Sequence, residues 1–407
     1  MVVNLKKIPF LFLSFILFAI LLAACNSSEK SQTAQTNSGT TETNEESRED
    51  KNEVGEQATI SLPNMMTWSV YDVGASGYSE MAAIANMLTE EYNMNVRMLP
   101  SASGVGRMIP LRDQTASIGK LGDEIQFAFE GVEEFGQPSW GPQDVTAIWA
   151  PVSVAGMAVR SDSDIQTLKD LKGKKIPWIV GNHSVNLKIE APLALAGLTW
   201  DDVEVVELTS YSSQAEALIQ GKIDVVGFVP TSAAMIEAES KVGIRWLDMD
   251  PNDTEGWKRV EKVAPWLFPT TTSKGAGIDG DINVHGFGYL IGGYANQDTE
   301  VIYQFVKAMV ENFDKYGDAT EAMDAYKLEN VLTDPRGVPF HEGTVKYFKE
   351  VGLWDDEKQA KNDELVERAK KLKEAWDQVV DESVEQGISE ADFPGYWLER
   401  KKELISD

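Results

Sequence analysis

The sequence predicts an α/β protein of two lobes, each a mostly parallel sheet with flanking helices, plus a helical C-terminal extension. Three observations predict it. From about residue 58, short apolar runs alternate with amphipathic stretches, the βαβα rhythm of layered α/β domains. A middle block, 155–249, keeps that rhythm between two irregular stretches, Ile148-Trp149-Ala150-Pro151 and Ala264-Pro265-Trp266-Leu267-Phe268-Pro269. Two such crossings are what an inserted domain requires. Beyond residue 355, Leu365, Ala369, Leu372, Trp376 and Val379 recur at spacings of three and four, one apolar stripe on a long helix.

The elements follow in order. Lys6 and Lys7 precede an apolar run, 8–24, that ends Leu22-Ala23-Ala24-Cys25. A charged start, an apolar stretch and small residues before a cysteine form a secretory signal, with Cys25, the chain's single cysteine, as a lipidation site. A membrane-spanning anchor is the other reading, although the run is at the lower limit for a bilayer. Residues 26–57 are rich in Ser, Thr, Asn, Gln and Glu and contain no aromatic residue, so they bury too little to offset ordering entropy and read as a tether. Strands are then expected at 66–70 and 95–99, with helices at 78–92 and 107–114. Further strands fall at 146–148, 155–160, 176–180, 203–207 and 223–228. The helices between them fall at 165–171, 185–196 and 213–220, the second stopped by Gly197. An apolar run at 284–291 and a helix at 299–313 bring the chain back. The expected boundaries are 1–24 signal, 25–57 tether, 58–150 with 265–353 as lobe I, 151–264 as lobe II, and 354–407 as extension.

Composition narrows the partners. With 65 acidic and 37 basic residues, net charge −28, nucleic acid is not an expected partner, since phosphate binding needs a basic surface. A single cysteine forms no intrachain disulfide, so stability rests on packing. The three histidines, His183, His285 and His341, are far apart, and there is no HExxH, phosphate loop or Gly-x-Ser-x-Gly elbow. No enzyme activity, cofactor or metal is expected.

What recurs is a predicted strand running into a small-residue loop that opens a helix: Gly74-Ala75-Ser76-Gly77-Tyr78, Ser101-Ala102-Ser103-Gly104 and Gly181-Asn182-His183-Ser184. A helix N-terminus offers unpaired N–H groups and a partial positive charge. Several converging between two lobes would hold a small anion without a metal, although each also reads as ordinary capping. Arg107 reads as a fork onto a carboxylate or as a surface residue. Tyr78 and Phe228 read as apolar walls or as core. Thr231 and Ser232 read as caps or ligand donors, and Asp123 as a partner for a ligand ammonium group or water. The expected contact set is Gly74, Ser76, Tyr78, Ser101, Ser103, Arg107, Asp123, Asn182, His183, Ser184, Phe228, Thr231 and Ser232.

Taken with 161–174, 196–203, 217–224 and the late Val338-Pro339-Phe340-His341-Glu342-Gly343, these loops resemble the TAXI-type solute-binding proteins of TRAP transporters. The resemblance covers about 59–353. It implies a type II periplasmic-binding-protein fold and a solute receptor, which the signal and Cys25 would anchor by lipid on the outer face of the cell membrane. Such a receptor closes on a small carboxylate-like solute (a dicarboxylate, oxoacid or acidic amino acid) and passes it to an ion-gradient-driven permease. A binding protein of an ABC importer, a ligand-sensing lipoprotein, an enzyme on the same fold and a structural lipoprotein stay open as alternatives.

Overall fold

The computed structural model describes residues 60–405. The expected signal sequence, Cys25 and the tether lie outside the described residues. The chain runs β1 (Met65–Tyr71), α1 (Ser76–Tyr92), β2 (Asn95–Ser101), α2 (Gly104–Arg112), β3 (Ile118–Leu121), α3 (Glu124–Glu130) and β4 (Val145–Trp149). It continues with β5 (Val152–Arg160), β6 (Lys175–Ile179), α4 (His183–Ala196), β7 (Glu204–Leu208), α5 (Ser213–Ile219), β8 (Val225–Phe228), α6 (Ala233–Val242) and β9 (Ile244–Trp246). Then come α7 (Thr254–Val263), β10 (Phe268–Thr272), β11 (Ile282–Gly288), β12 (Leu290–Tyr294), α8 (Thr299–Glu311) and α9 (Phe313–Tyr316). The chain closes with α10 (Glu342–Glu350), α11 (Asp356–Gln386) and α12 (Phe393–Leu404).

The fold is α/β and two-lobed. One sheet has the order β2-β1-β3-β12-β4; a second runs β10-β11-β5-β8 with β9 on β5, and β6-β7 form a separate pair. Each sheet has its own apolar core. Trp68, Ile84 and Phe305 belong to the first, Ile189, Val226 and Met235 to the second. β4 leads straight into β5 across Ala150 and Pro151, and β11 into β12 across Tyr289. These two adjacent crossings join the lobes.

The sheets are mixed, where mostly parallel ones were expected. β1 pairs parallel with β2 and β3, but β12 runs antiparallel to both β3 and β4. In the second lobe β5 is antiparallel to β8, β9 and β11. The cause is the crossings: a chain that passes out through β4–β5 and back through β11–β12 must run in opposite senses in the two connections. β10 and β11 also sit in the second sheet, so the chain regains the first sheet only at Leu290, later than the expected 265. The expected helix at 165–171 is a short 3₁₀ turn, Leu168–Leu171, with Thr167 and Asp170 in a capping box.

The extension is the helix the sequence stripe predicts. Leu372, Ala375, Trp376 and Val379 of α11 are buried and join the first core, together with Phe393 and Trp397 of α12. Among the described residues no helix is long and apolar enough to cross a membrane.

Candidate functional site

The three small-residue loops do meet, at the interface of the lobes. β1 ends at Tyr71, and the chain turns through Gly74 at φ +100°, a conformation that favours glycine. α1 then starts at Ser76, which is buried. From the other lobe α4 starts behind Asn182, whose side chain accepts the Val185 N–H and caps the helix. Ser76 and Ser184, from opposite lobes, line one cavity of about 20 Å³ with Tyr71, Lys188, Tyr211 and Tyr289. That volume suits about one water molecule. A larger interlobe pocket of about 290 Å³ shares Val229 and Tyr289 with it and reaches Thr231, Glu80 and Lys120.

The cavity walls are aromatic. Tyr211 stacks on Phe228 with centroids 4.0 Å apart, and Tyr71 meets Tyr211 and Tyr289 edge-on at 6.1 and 5.5 Å. Gly77 leaves the room Tyr289 needs, since a Cβ there would stand 2.1 Å from the Tyr289 hydroxyl. Gly77→Ala should therefore cost roughly 1–3 kcal/mol by overpacking. Denaturant unfolding checks this, and a neutral result would mean that Tyr289 moves freely.

The electrostatics rest on three buried ion pairs. Arg107 Nε donates to Glu124 Oε1 at 2.7 Å, Nη1 to the Ser101 carbonyl at 3.0 Å, and the guanidinium lies 3.5 Å over the Tyr71 ring. Lys188 Nζ of lobe II donates to Asp123 Oδ2 of lobe I at 2.5 Å. Lys120 Nζ sits 3.0 Å from Glu80 Oε2 and donates to the Tyr326 hydroxyl at 2.7 Å. Burial raises the Glu124 carboxyl, but the Arg107 charge and hydrogen bond outweigh it and hold the group below the usual glutamate value. For Asp123 burial wins, and Lys188 only reduces the rise. Three cations face three carboxylates, so these three pairs carry no net charge among them.

Polar contacts also cross the cleft. The Asp123 N–H donates to Ser184 Oγ at 2.9 Å, Asn182 Nδ2 to the Ala102 carbonyl at 2.8 Å, and the Gly104 N–H to the Gly181 carbonyl at 3.1 Å. The His183 N–H donates to Glu134 Oε1 at 2.7 Å, and the Ser212 N–H to Asp72 Oδ2 at 3.1 Å.

The expected residues thus divide. Ser76 and Ser184 line the cavity, Phe228 backs its aromatic wall, and Thr231 lines the larger pocket. Asp123 and Asn182 tie the lobes together. Gly74 accepts the Ala234 N–H through its carbonyl. His183 holds Glu133 at 3.2 Å and lies edge-on to Phe127. Ser103 caps α2 by accepting the Gly106 N–H, Ser101 donates to the Ser103 carbonyl, and Ser232 donates to the Val229 carbonyl. Tyr78 is half-buried against the first core, away from the cavity. Arg107, expected to fork onto a ligand, forks onto Glu124 and Ser101, and only Nη2 is left without a protein partner.

Sequence reasoning missed Glu124, Lys188, Tyr71, Tyr211 and Tyr289. Two signals pointed to the first two: Glu124 directly follows Asp123, and Lys188 stands four residues after Ser184, one helical turn on the same face. His285 was also passed over. It is fully buried beside Lys188, and its ring is pushed down to about 3 by burial first and by that cation second. The unfolded chain takes up the imidazole proton below about 6.5 while the folded chain does not. The sign is then fixed: this contribution is full above 6.5 and declines as pH falls, by about 1.4 kcal/mol per pH unit. Denaturant unfolding of His285→Leu at pH 7 and pH 5 should show a correspondingly smaller loss than the parent chain shows.

A family model described as the NMT1-like family matches residues 71–352. No curated protein matches. Among solved structures, the chain is similar to the periplasmic aliphatic sulphonate binding protein SsuA from Escherichia coli, at 16% identity and TM-score 0.39 over 72% of this chain and 88% of that one. It is also similar to the alkanesulfonate-binding protein SsuA from Xanthomonas axonopodis bound to MOPS, at 15% identity and TM-score 0.40 over 73% and 96%. A third is substrate binding domain 2 of GlnP from Lactococcus lactis, at 13% identity and TM-score 0.35 over 66% and 98%.

Proposed function

The chain belongs to the NMT1-like family, and from that premise we propose that it is an extracytoplasmic solute-binding protein that closes its two lobes on a small carboxylate-like solute. The observation that carries this reading is the meeting of helix N-termini from both lobes at Ser76 and Ser184 in one aromatic-walled cavity. The ends of α1 and α4 supply N–H groups and partial positive charge. Arg107, whose guanidinium lies over the Tyr71 ring that forms one wall of that cavity, keeps Nη2 buried without a protein partner as a charged donor. The buried pairs are charge-balanced, so a ligand that also carries a donor, such as an acidic amino acid, disturbs the balance less than a bare dicarboxylate does.

The partner of this receptor, in this reading, is an ion-gradient-driven permease of the TRAP type, and Cys25 carries the lipid that holds it to the membrane. The loop motifs at 74–78 and 101–107 and the segment 338–343 support the TAXI assignment. An ABC importer is the competing partner, and dependence of solute uptake on an ion gradient or on ATP separates the two.

The test is a thermal-shift screen of the chain from Ser28 onward against dicarboxylates, oxoacids, acidic amino acids, sulfonates and sugars. A ligand that binds only the folded state raises the melting temperature by mass action. A carboxylate hit supports the reading. A hit with a sulfonate or a sugar alone overturns the carboxylate and keeps the receptor.

A further inference from the structure

We propose that the C-terminal helix pair α11–α12 is a positioning brace for α3, and through α3 for the Asp123–Glu124 end of the cleft. Only the purpose of that positioning rests on the solute-binding reading; the coupling itself does not.

α3 has seven residues, too few to be stable by itself, so its pose depends on the core beneath Ile125, Ala128 and Phe129 and on what grips its ends. Its N-terminal end carries the cleft chemistry: Asp123 meets Ser184 and Lys188 across the lobes, and Glu124 meets Arg107. Its C-terminal end is bonded locally, by the Val132 N–H to the Phe127 carbonyl and the Gln143 N–H to the Ala128 carbonyl, and its last residues, Glu130 and Gly131, are gripped by the extension. Arg368 of α11 donates from Nε and Nη2 to the two carboxylate oxygens of Glu130, at 2.7 and 3.0 Å. Lys401 of α12 stands 2.6 Å from Glu130 Oε2 and donates to the Glu130 carbonyl at 3.1 Å. Trp397 Nε1 donates to the Gly131 carbonyl at 2.8 Å. Lys401 and the Trp397 indole N–H thus satisfy carbonyls that a helix C-terminus leaves unpaired, Arg368 holds the Glu130 carboxylate, and the two cations complement the helix dipole.

The brace is itself anchored. Trp376 of α11 meets Trp397 and Phe393 edge-on at 4.9 and 5.1 Å, and its ring fills the space over Gly141, where a Cβ would stand 2.4 Å from it. Near the start of α11, Asn362 Oδ1 accepts the Phe340 N–H at 2.7 Å. At 1.5 Å per residue, α3 reaches about 10 Å from the grip to the cleft, so a tilt of about 10° moves its far end by about 2 Å. That displacement breaks a 2.9 Å bond such as the one from the Asp123 N–H to Ser184 Oγ.

Amide hydrogen exchange on the chain from Ser28 tests the coupling without any solute, so an error in the ligand reading leaves its outcome untouched. In R368Q/K401Q, peptides spanning 121–130 should exchange at least tenfold faster, while β4 and β12, in the same lobe, keep their parental rates. Glu130→Gln preserves side-chain size and should show the same pattern more weakly; it decides the matter if the double variant does not fold. Acceleration confined to α11 and α12 would overturn the proposal. So would a uniform acceleration that includes β4 and β12, because that is mere loss of stability.

Discussion

Arg107→Met should destabilise the folded chain by roughly 3–5 kcal/mol, the cost of leaving a buried carboxylate without its cation. Arg107 and Glu124 are 0% and 1% exposed and both lie in lobe I, so the pair does not itself span the lobes. The pH dependence follows from the pair. In the parent chain Arg107 outweighs burial and holds the Glu124 carboxyl below its ordinary value of 4.5. The stability it gives is full above 4.5 and is lost as pH falls through the lower folded value. In the variant, burial is opposed only by the backbone N–H groups of Gly122 and Glu124, so the carboxyl stands higher than in the parent, and acid more readily protonates it and removes the uncompensated charge. The gap between parent and variant should therefore narrow from pH 7 to pH 4.5 in denaturant unfolding. A gap that is constant or widens would show that Glu124 finds another cation.

Lys188→Met should act on closure instead of on the fold. It removes the cation from Asp123, a residue 2% exposed on the opposite lobe. The same roughly 3–5 kcal/mol penalty applies to the closed form. Separation of the lobes hydrates Asp123 and relieves that penalty. A shift of that size changes a closed-to-open ratio by more than a hundredfold. The radius of gyration in small-angle scattering should rise above that of the parent, while the unfolding midpoint falls less than in Arg107→Met. Equal radii with a large loss of stability would mean that the lobes do not separate and that the pair belongs to one rigid core.

The contrast between these two pairs also marks what the sequence made legible. Local signals carried far. The stripe from Leu365 to Val379 located α11, Asn182 and Ser103 are the caps that their positions suggested, and the small-residue loops do open helices at the lobe interface. Pairing between distant segments did not show. Nothing around Arg107 announces Glu124, and nothing around Lys188 announces Asp123, sixty-five residues upstream. Strand direction was equally hidden. The apolar run at 284–291 reads the same whether it enters the sheet parallel or antiparallel, and only the return crossing makes β12 antiparallel to β3 and β4. The larger share of the cleft is therefore built by residues that look like ordinary core in a one-dimensional reading, Tyr71, Tyr211 and Tyr289 foremost.

Isothermal titration calorimetry tests the central claim most directly, using the chain from Ser28, its Ser184→Ala variant and a panel of acidic amino acids, oxoacids and dicarboxylates. Ser184 lines the cavity and accepts the Asp123 N–H across the lobes, so its loss weakens both solute contact and closure. One compound should bind the parent chain at one site and the variant at least tenfold more weakly. No binding by any compound in the panel, or equal binding by parent and variant, would contradict that claim.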